Sequence, residues 1–156
     1  MRDDLPLSTT HEVRDTCLCL HLQRAARAIG RQFDEALRPL GLTNGQFSLL
    51  MSLNRPEPPR LGTVAHVLAM DRTTLTANLK PLERRGLLSV APDPEDGRGR
   101  RLRLTDAGRD LLVQALPVWR AAHAAVDRQL APVPPGEMRE GLWRITYGPP
   151  EASRTG

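Results

Sequence analysis

Aromatic residues are nearly missing from this chain: two Phe, two Trp and one Tyr make up 3% of 156 residues. That scarcity argues against a stacking platform for single-stranded nucleic acid, which relies on successive aromatic faces. Lysine is scarcer still, since Lys80 is the one lysine among 22 basic residues. Cysteine is confined to Cys17 and Cys19, too few and too close together for a disulfide framework. No stretch approaches the roughly 18 uninterrupted apolar residues of a membrane span. The opening MRDDLPLSTT is polar and acidic, unlike a secretion signal. G-x-S-x-G, H-E-x-x-H and a glycine-rich phosphate loop are lacking, and the four histidines are scattered, so no enzyme is expected. These absences point to a reduced, cytoplasmic protein that needs no cofactor and meets no membrane.

What is present is arginine and helical periodicity. The net charge is +4. Arginine suits bidentate contact with phosphate and guanine, although genomic base composition alone can also enrich it. Residues 10–40 carry Leu18, Leu22, Ala25, Ile29, Phe33, Leu37 and Leu40 at spacings of three or four, which predicts one long helix. Its length calls for packing against a partner chain. A second helix is expected from Thr43 or Asn44 through Leu53, followed by a proline-rich loop over 54–62. Residues 61–86 predict two short helices joined at Met70 and Asp71, with Asp71 as an N-cap. Leu75, Leu79 and Leu82 form the buried stripe of the second. Pro81 predicts a kink or an early end near Lys80.

Residues 87–105 alternate as a two-stranded hairpin with a long tip rich in Pro, Asp and Gly. Thr105 caps a further helix to about Leu130, and a last helix starts near Pro135; residues 1–9 and 148–156 read as unstructured tails. The expected fold is mainly α with a small two-stranded β-hairpin wing. A winged helix-turn-helix lobe spans 43–104, and dimerisation helices span 10–40 and 105–147.

The second short helix would expose Arg72, Thr73, Thr74, Thr76, Asn78 and Lys80, donors and small hydroxyls of a length suited to the major groove. The hairpin tip gathers Arg98, Arg100, Arg101 and Arg103, cations that an extended ribbon can carry into a narrow minor groove. A solvated charged hairpin is the plain alternative.

The runs DRTTLTANLKPLERRGLL and DPEDGRGRRLRLTDAGRDLL resemble the MarR (multiple antibiotic resistance regulator) family of bacterial transcriptional regulators. The resemblance extends over about residues 13–147. It implies a homodimeric regulator, a repressor on a pseudo-palindromic double-stranded operator, released by a small aromatic effector or an oxidant. It further implies that the recognition helix begins at Arg72. Asp96 would orient Arg98 as the wing-tip minor-groove contact. A ligand crevice between the dimer and DNA-binding lobes would hold phenolic or other aromatic compounds, with Phe47, Met51 and His66 as candidate lining. Gly97 stands where the family usually has another arginine.

The run TCLCLHL, residues 16–22, invites a metal or redox reading. On a continuous helix, residues two apart diverge by about 200°, so Cys17 and Cys19 would not share a face, whereas Cys17 and His21 would. Two ligands are half a zinc site, which leaves Cys17 and His21 as weak metal candidates. Cys19 falls where the hydroperoxide-sensing branch of the family keeps its reactive cysteine. The resemblance therefore implies a sensor thiol, although Gln23 and Phe33 replace the tyrosines of that branch. Buried apolar cysteines are the alternative. The rival reading of the whole chain is a thiol- or metal-responsive interaction protein whose winged domain binds a protein partner.

Overall fold

The computed structural model describes residues 4–148, apart from the side chain of Arg98. The chain runs α1 (Leu7–Thr16), α2 (Leu18–Leu37), a 3₁₀ turn (Arg38–Leu40), α3 (Asn44–Ser52), α4 (Leu61–Val67) and α5 (Arg72–Arg84). Then come β1 (Leu88–Asp93), β2 (Asp96–Leu104), α6 (Asp106–Gln129) and α7 (Pro135–Tyr147). Among the described residues no helix is long and apolar enough to cross a membrane.

The long first helix expected over 10–40 is two helices. It starts earlier, at Leu7, and breaks at Cys17, whose backbone is extended (φ −71°, ψ 102°). The Thr16 hydroxyl donates to the Glu12 carbonyl at 2.8 Å, a back-bond that bends helices. The Cys17 carbonyl then takes the His21 amide at 3.1 Å, starting α2. α1 buries no residue, so packing within the chain does not hold it in line with α2.

Three local devices assemble the core. At α3 the Thr43 hydroxyl accepts from the Gln46 amide, and the Gln46 side chain accepts from the Thr43 amide, a reciprocal capping box. The Asn44 amide donates to Asp34 Oδ1 at 2.7 Å, tying the start of α3 to α2. At α6 Thr105 caps Gly108 and donates to the Gly86 carbonyl. A Cβ on Gly108 would lie 2.1 Å from the Leu87 carbonyl oxygen, so only glycine lets α6 cross the root of the hairpin this closely. Leu37, Leu50, Leu75, Leu82 and Leu102 are fully excluded from solvent at the centre of this packing.

Two further expectations are corrected. α5 does not stop near Lys80 but continues through Pro81 to Arg84. Leu79 and Leu82, on either side of Pro81, are buried, and that packing holds the helix together. Ala77, which loses its helical partner to the proline, lies on the exposed side. The hairpin tip is short, not long. Pairing runs from Leu88 opposite Leu104 to Pro92 opposite Arg100, shifts at Pro92 and Asp93, and closes with Asp93 opposite Asp96. Arg60 adds a single bridge to Arg101 at the outer edge of β2. Of the tails expected at 1–9 and 148–156, residues 7–9 instead form the first turn of α1, and residues 1–3 and 149–156 lie outside the described residues.

Candidate nucleic-acid interface

The turn between α4 and α5 sets the direction of α5. α4 ends at Val67, and Ala69 then takes a left-handed conformation at φ +49°. The Met70 amide reaches back to the Ala65 carbonyl at 2.9 Å and the Ala69 amide to His66 at 3.0 Å, a helix-ending pattern that usually employs glycine. Asp71 restarts the helix: one carboxylate oxygen accepts from the Thr74 hydroxyl at 2.6 Å and the other from its amide at 2.8 Å. The Thr74 hydroxyl, then its amide, hold the Asp71 carboxyl below the usual aspartate range.

Arg72, Thr73, Thr74, Thr76, Asn78 and Lys80 are all exposed. Helical periodicity divides them. Thr73 and Lys80 lie nearest the outward ridge, Arg72 and Thr76 on one flank, Thr74 and Asn78 on the other. Arg72 and Thr76 share a hollow of about 500 Å³ with Arg60, Asp96 and Arg100 of the wing side. Asn78 belongs to a separate small cleft beside Thr43, Gln46 and Leu49, and its amide reaches the Met70 sulfur at 3.8 Å. Thr74 and Thr76 spend their hydroxyl protons internally, on Asp71 and on the Arg72 carbonyl, so each offers an acceptor and a methyl outward. Ala77 sits on the ridge between Thr73 and Lys80 and was not singled out from the sequence. The signal was its i+4 spacing from Thr73, and its small side chain permits close approach.

The wing is fastened at its root. Asp93 is buried, and Arg60 Nε approaches its carboxylate at 2.7 Å and Arg101 Nε at 3.2 Å. Both arginines also meet Glu95 Oε2, at 2.8 and 3.3 Å, and Arg101 donates to the Pro58 carbonyl. Burial pushes the Asp93 carboxyl up, but the Glu95 amide, Arg101 and Arg60 outweigh it and hold the group below the ordinary aspartate range. Arg101 is thus committed to the wing's anchor, whereas Arg100 and Arg103 are exposed. A Cβ on Gly99 would come within 2.9 Å of the Asp93 side chain, so the tip closes tightly over this pair. The expected pairing of Asp96 with the Arg98 side chain lies outside the described residues. Arg60 and Glu95, thirty-five positions apart, were missed because only the tertiary fold brings them together.

The other candidates are dispersed. Phe47 is a core residue stacked on Trp119 at 5.9 Å; Trp119 in turn lies 4.8 Å from His123, which meets Phe33 edge-on at 6.5 Å. Met51 is half-buried against the core. His66 packs 5.3 Å from Tyr147. Neither of the hollows described above is lined by Phe47, Met51 or His66. Cys17 is half-buried and Cys19 exposed, both as free thiols. Because Cys17 stands outside the helices, the helical argument for divergent sulfurs does not apply to it. His21 Nδ1 meets the Cys17 carbonyl oxygen at 2.9 Å. The Gln23 amide donates to Cys19 Sγ at 3.4 Å, at a position where the hydroperoxide-sensing branch would have a phenol. No group of three or more His, Cys, Asp or Glu suited to a metal occurs among the described residues.

The profile of the MarR family matches residues 42–99, from the start of α3 into the wing. The transcriptional regulator MosR of M. tuberculosis, solved in complex with DNA, is 36% identical to this chain with a TM-score of 0.76. That similarity covers 83% of this chain and 93% of MosR. This chain belongs to the MarR family. Two other similar proteins show the range of MarR-like regulators. CouR of Rhodococcus jostii RHA1, solved bound to p-coumaroyl-CoA, is 26% identical with a TM-score of 0.72, covering 88% of this chain and 96% of CouR. The transcriptional activatory protein BadR of Rhodopseudomonas palustris is 32% identical over 113 residues, 70% of this chain and 65% of BadR. The chain thus spans just under two thirds of that relative's length. The MarR family resemblance read from the wing and its neighbouring helix therefore holds, and the winged helix-turn-helix fold with it.

Proposed function

We propose that this MarR-family chain is a sequence-specific, double-stranded-DNA-binding transcriptional regulator, acting in the cytoplasm as a homodimeric repressor and not as an enzyme. One observation carries the reading: the N-terminal half of α5 and the wing open onto one common hollow lined by Arg60, Arg72 and Arg100. A helix and a ribbon so placed engage a major groove and the flanking minor groove together. Thr73, Ala77 and Lys80 read bases or backbone from the ridge of α5, flanked by Arg72, Thr74, Thr76 and Asn78. Arg98 and Arg100 supply the wing's cations, with Asp96 orienting Arg98. MosR, solved in complex with DNA, supports the same use of the shared fold.

The dimer forms through α7 and the start of α2, where Leu18, Leu22, Val133, Met138, Leu142 and Ile145 line an apolar groove. Two-fold symmetry then sets two half-sites about one helical turn apart. Release follows a population shift, driven by an aromatic effector or by oxidation of Cys19. CouR, solved with p-coumaroyl-CoA, supports the ligand route.

The test is a salt titration of binding to duplexes selected by the protein from a random pool. The expected result is a steep fall in affinity as salt rises, with a log–log slope of about −0.9 per phosphate neutralised. Arg98→Ala and Arg100→Ala should each weaken binding and flatten that slope. Affinity independent of salt and of both arginines would overturn the reading.

A further inference from the structure

α7 buries none of its residues, and Met138, Leu142, Trp143 and Ile145 are exposed along it. It is nevertheless fastened towards both ends. Arg139 meets Asp127 of α6 at 3.1 Å. At the other end the Tyr147 hydroxyl lies 3.1 Å from the His66 carbonyl and 3.1 Å from the Val67 carbonyl. Its ring packs 5.3 Å from His66 and 4.3 Å from Trp143. A phenol has one proton to donate, so the two carbonyls share it.

The place of this contact gives it consequence. His66 and Val67 end α4, where the helix dipole is negative, and the His66 carbonyl takes the Tyr147 hydroxyl in addition to the Ala69 amide. Two residues later stands the left-handed Ala69, and Asp71 then caps α5. A hydroxyl on the helix with the unpartnered apolar face therefore grips the carbonyl end of the first reading-head helix, immediately before the turn that aims the second.

We infer that Tyr147 is a positioning residue: it fixes the helix-turn-helix relative to α7 and so sets the half-site spacing the two recognition helices accept. The inference rests on the homodimeric DNA-binding reading above. Geometry makes the effect large enough to matter. α7 is about 20 Å long at 1.5 Å per residue, so a swing of about 10° moves its end by about 3.5 Å. That is close to one base-pair step, about 3.4 Å along each strand.

Tyr147→Phe keeps the ring and removes only the shared hydrogen bond. The probes are duplexes carrying the half-site that the wild-type protein selects, with the separation lengthened or shortened by one and two base pairs, and a duplex with a single half-site. The wild type should favour one separation. Tyr147→Phe should remain dimeric by sedimentation, lose about fivefold in affinity at that separation, and discriminate its neighbours less, as expected for the loss of a coupling contact. A profile identical to wild type overturns the inference. So does an equal loss at every separation and on the single half-site, which would mark a purely local packing role. Failure of the wild type to bind any duplex would instead strike the DNA-binding reading itself, so the two failures are distinct.

Discussion

Ala69 holds φ +49° between α4 and α5, a region that costs a residue with a Cβ about 1–2 kcal/mol. The turn nevertheless requires it, because the back-reaching amides of Ala69 and Met70 close α4 there. Ala69→Gly should therefore raise the free energy of unfolding by about 0.5–1 kcal/mol, the relief of strain being partly offset by the freer unfolded chain. Denaturant titration reads this, and DNA affinity should stay unchanged, since the backbone path is kept. Cys17 shows the opposite situation. Its extended backbone breaks a helix at a residue that neither glycine nor proline announces, so the break follows from Thr16 and His21 bonding around it and not from residue type.

The wing is stiff at its root, and its tip carries Gly97 where the resemblance to the family would place one more cation. Asp93 is held below its ordinary value in the fold, so its contribution is present above the unfolded aspartate value, about 3.9. That contribution is lost as pH falls through the lower folded value. Amide nitrogen relaxation of residues 95–100 should report a tip that is ordered at neutral pH and loosens in acid. In Asp93→Asn the tip should be loose already at neutral pH. Gly97 has open space around a built Cβ, so Gly97→Arg should fit without strain. It should steepen the salt slope by about 0.9 for each wing that gains a phosphate contact, and raise affinity at low salt. Elements of this kind were readable to different depths. The caps Asp71 and Thr105 and the Leu75, Leu79, Leu82 stripe are local, and each fell where periodicity and capping chemistry put it, whereas the start of α3, left open between Thr43 and Asn44, is decided by the Thr43 capping box. The continuation of α5 past Pro81 was not readable, because burial of Leu82 against distant elements overrides the local cost. Arg101 looked like another surface cation, and only the approach of the 58–60 segment to the hairpin makes it an anchor.

At the scale of the molecule, an apolar groove runs between α7 and the start of α2, with further exposed apolar residues Leu7 and Val13 on α1, while the arginine-lined hollow lies between α5 and the wing. A dimer that buries the first surface leaves two copies of the second available to DNA. Placing two charges on α7, as Leu142→Glu with Ile145→Glu, should convert the dimer to a monomer in sedimentation and lower affinity for a two-half-site duplex by at least about tenfold. That loss comes from removing the intramolecular advantage of the second half-site. Each lobe should keep its fold, since neither residue contributes to the core.

The paucity of aromatic residues has an optical consequence. The chain has two indoles: Trp119 is stacked on Phe47 within the chain, and Trp143 is 57% exposed on α7. Trp143 stands about 130° around α7 from Met138, Leu142 and Ile145 of the apolar groove, on the side of Tyr147, whose ring is 4.3 Å away. Its fluorescence should therefore respond to loss of the Tyr147 contact and not to closure of the groove, and Trp119→Phe would leave Trp143 as the one tryptophan emitter. The junction between α7 and the end of α4 thus carries its own optical label.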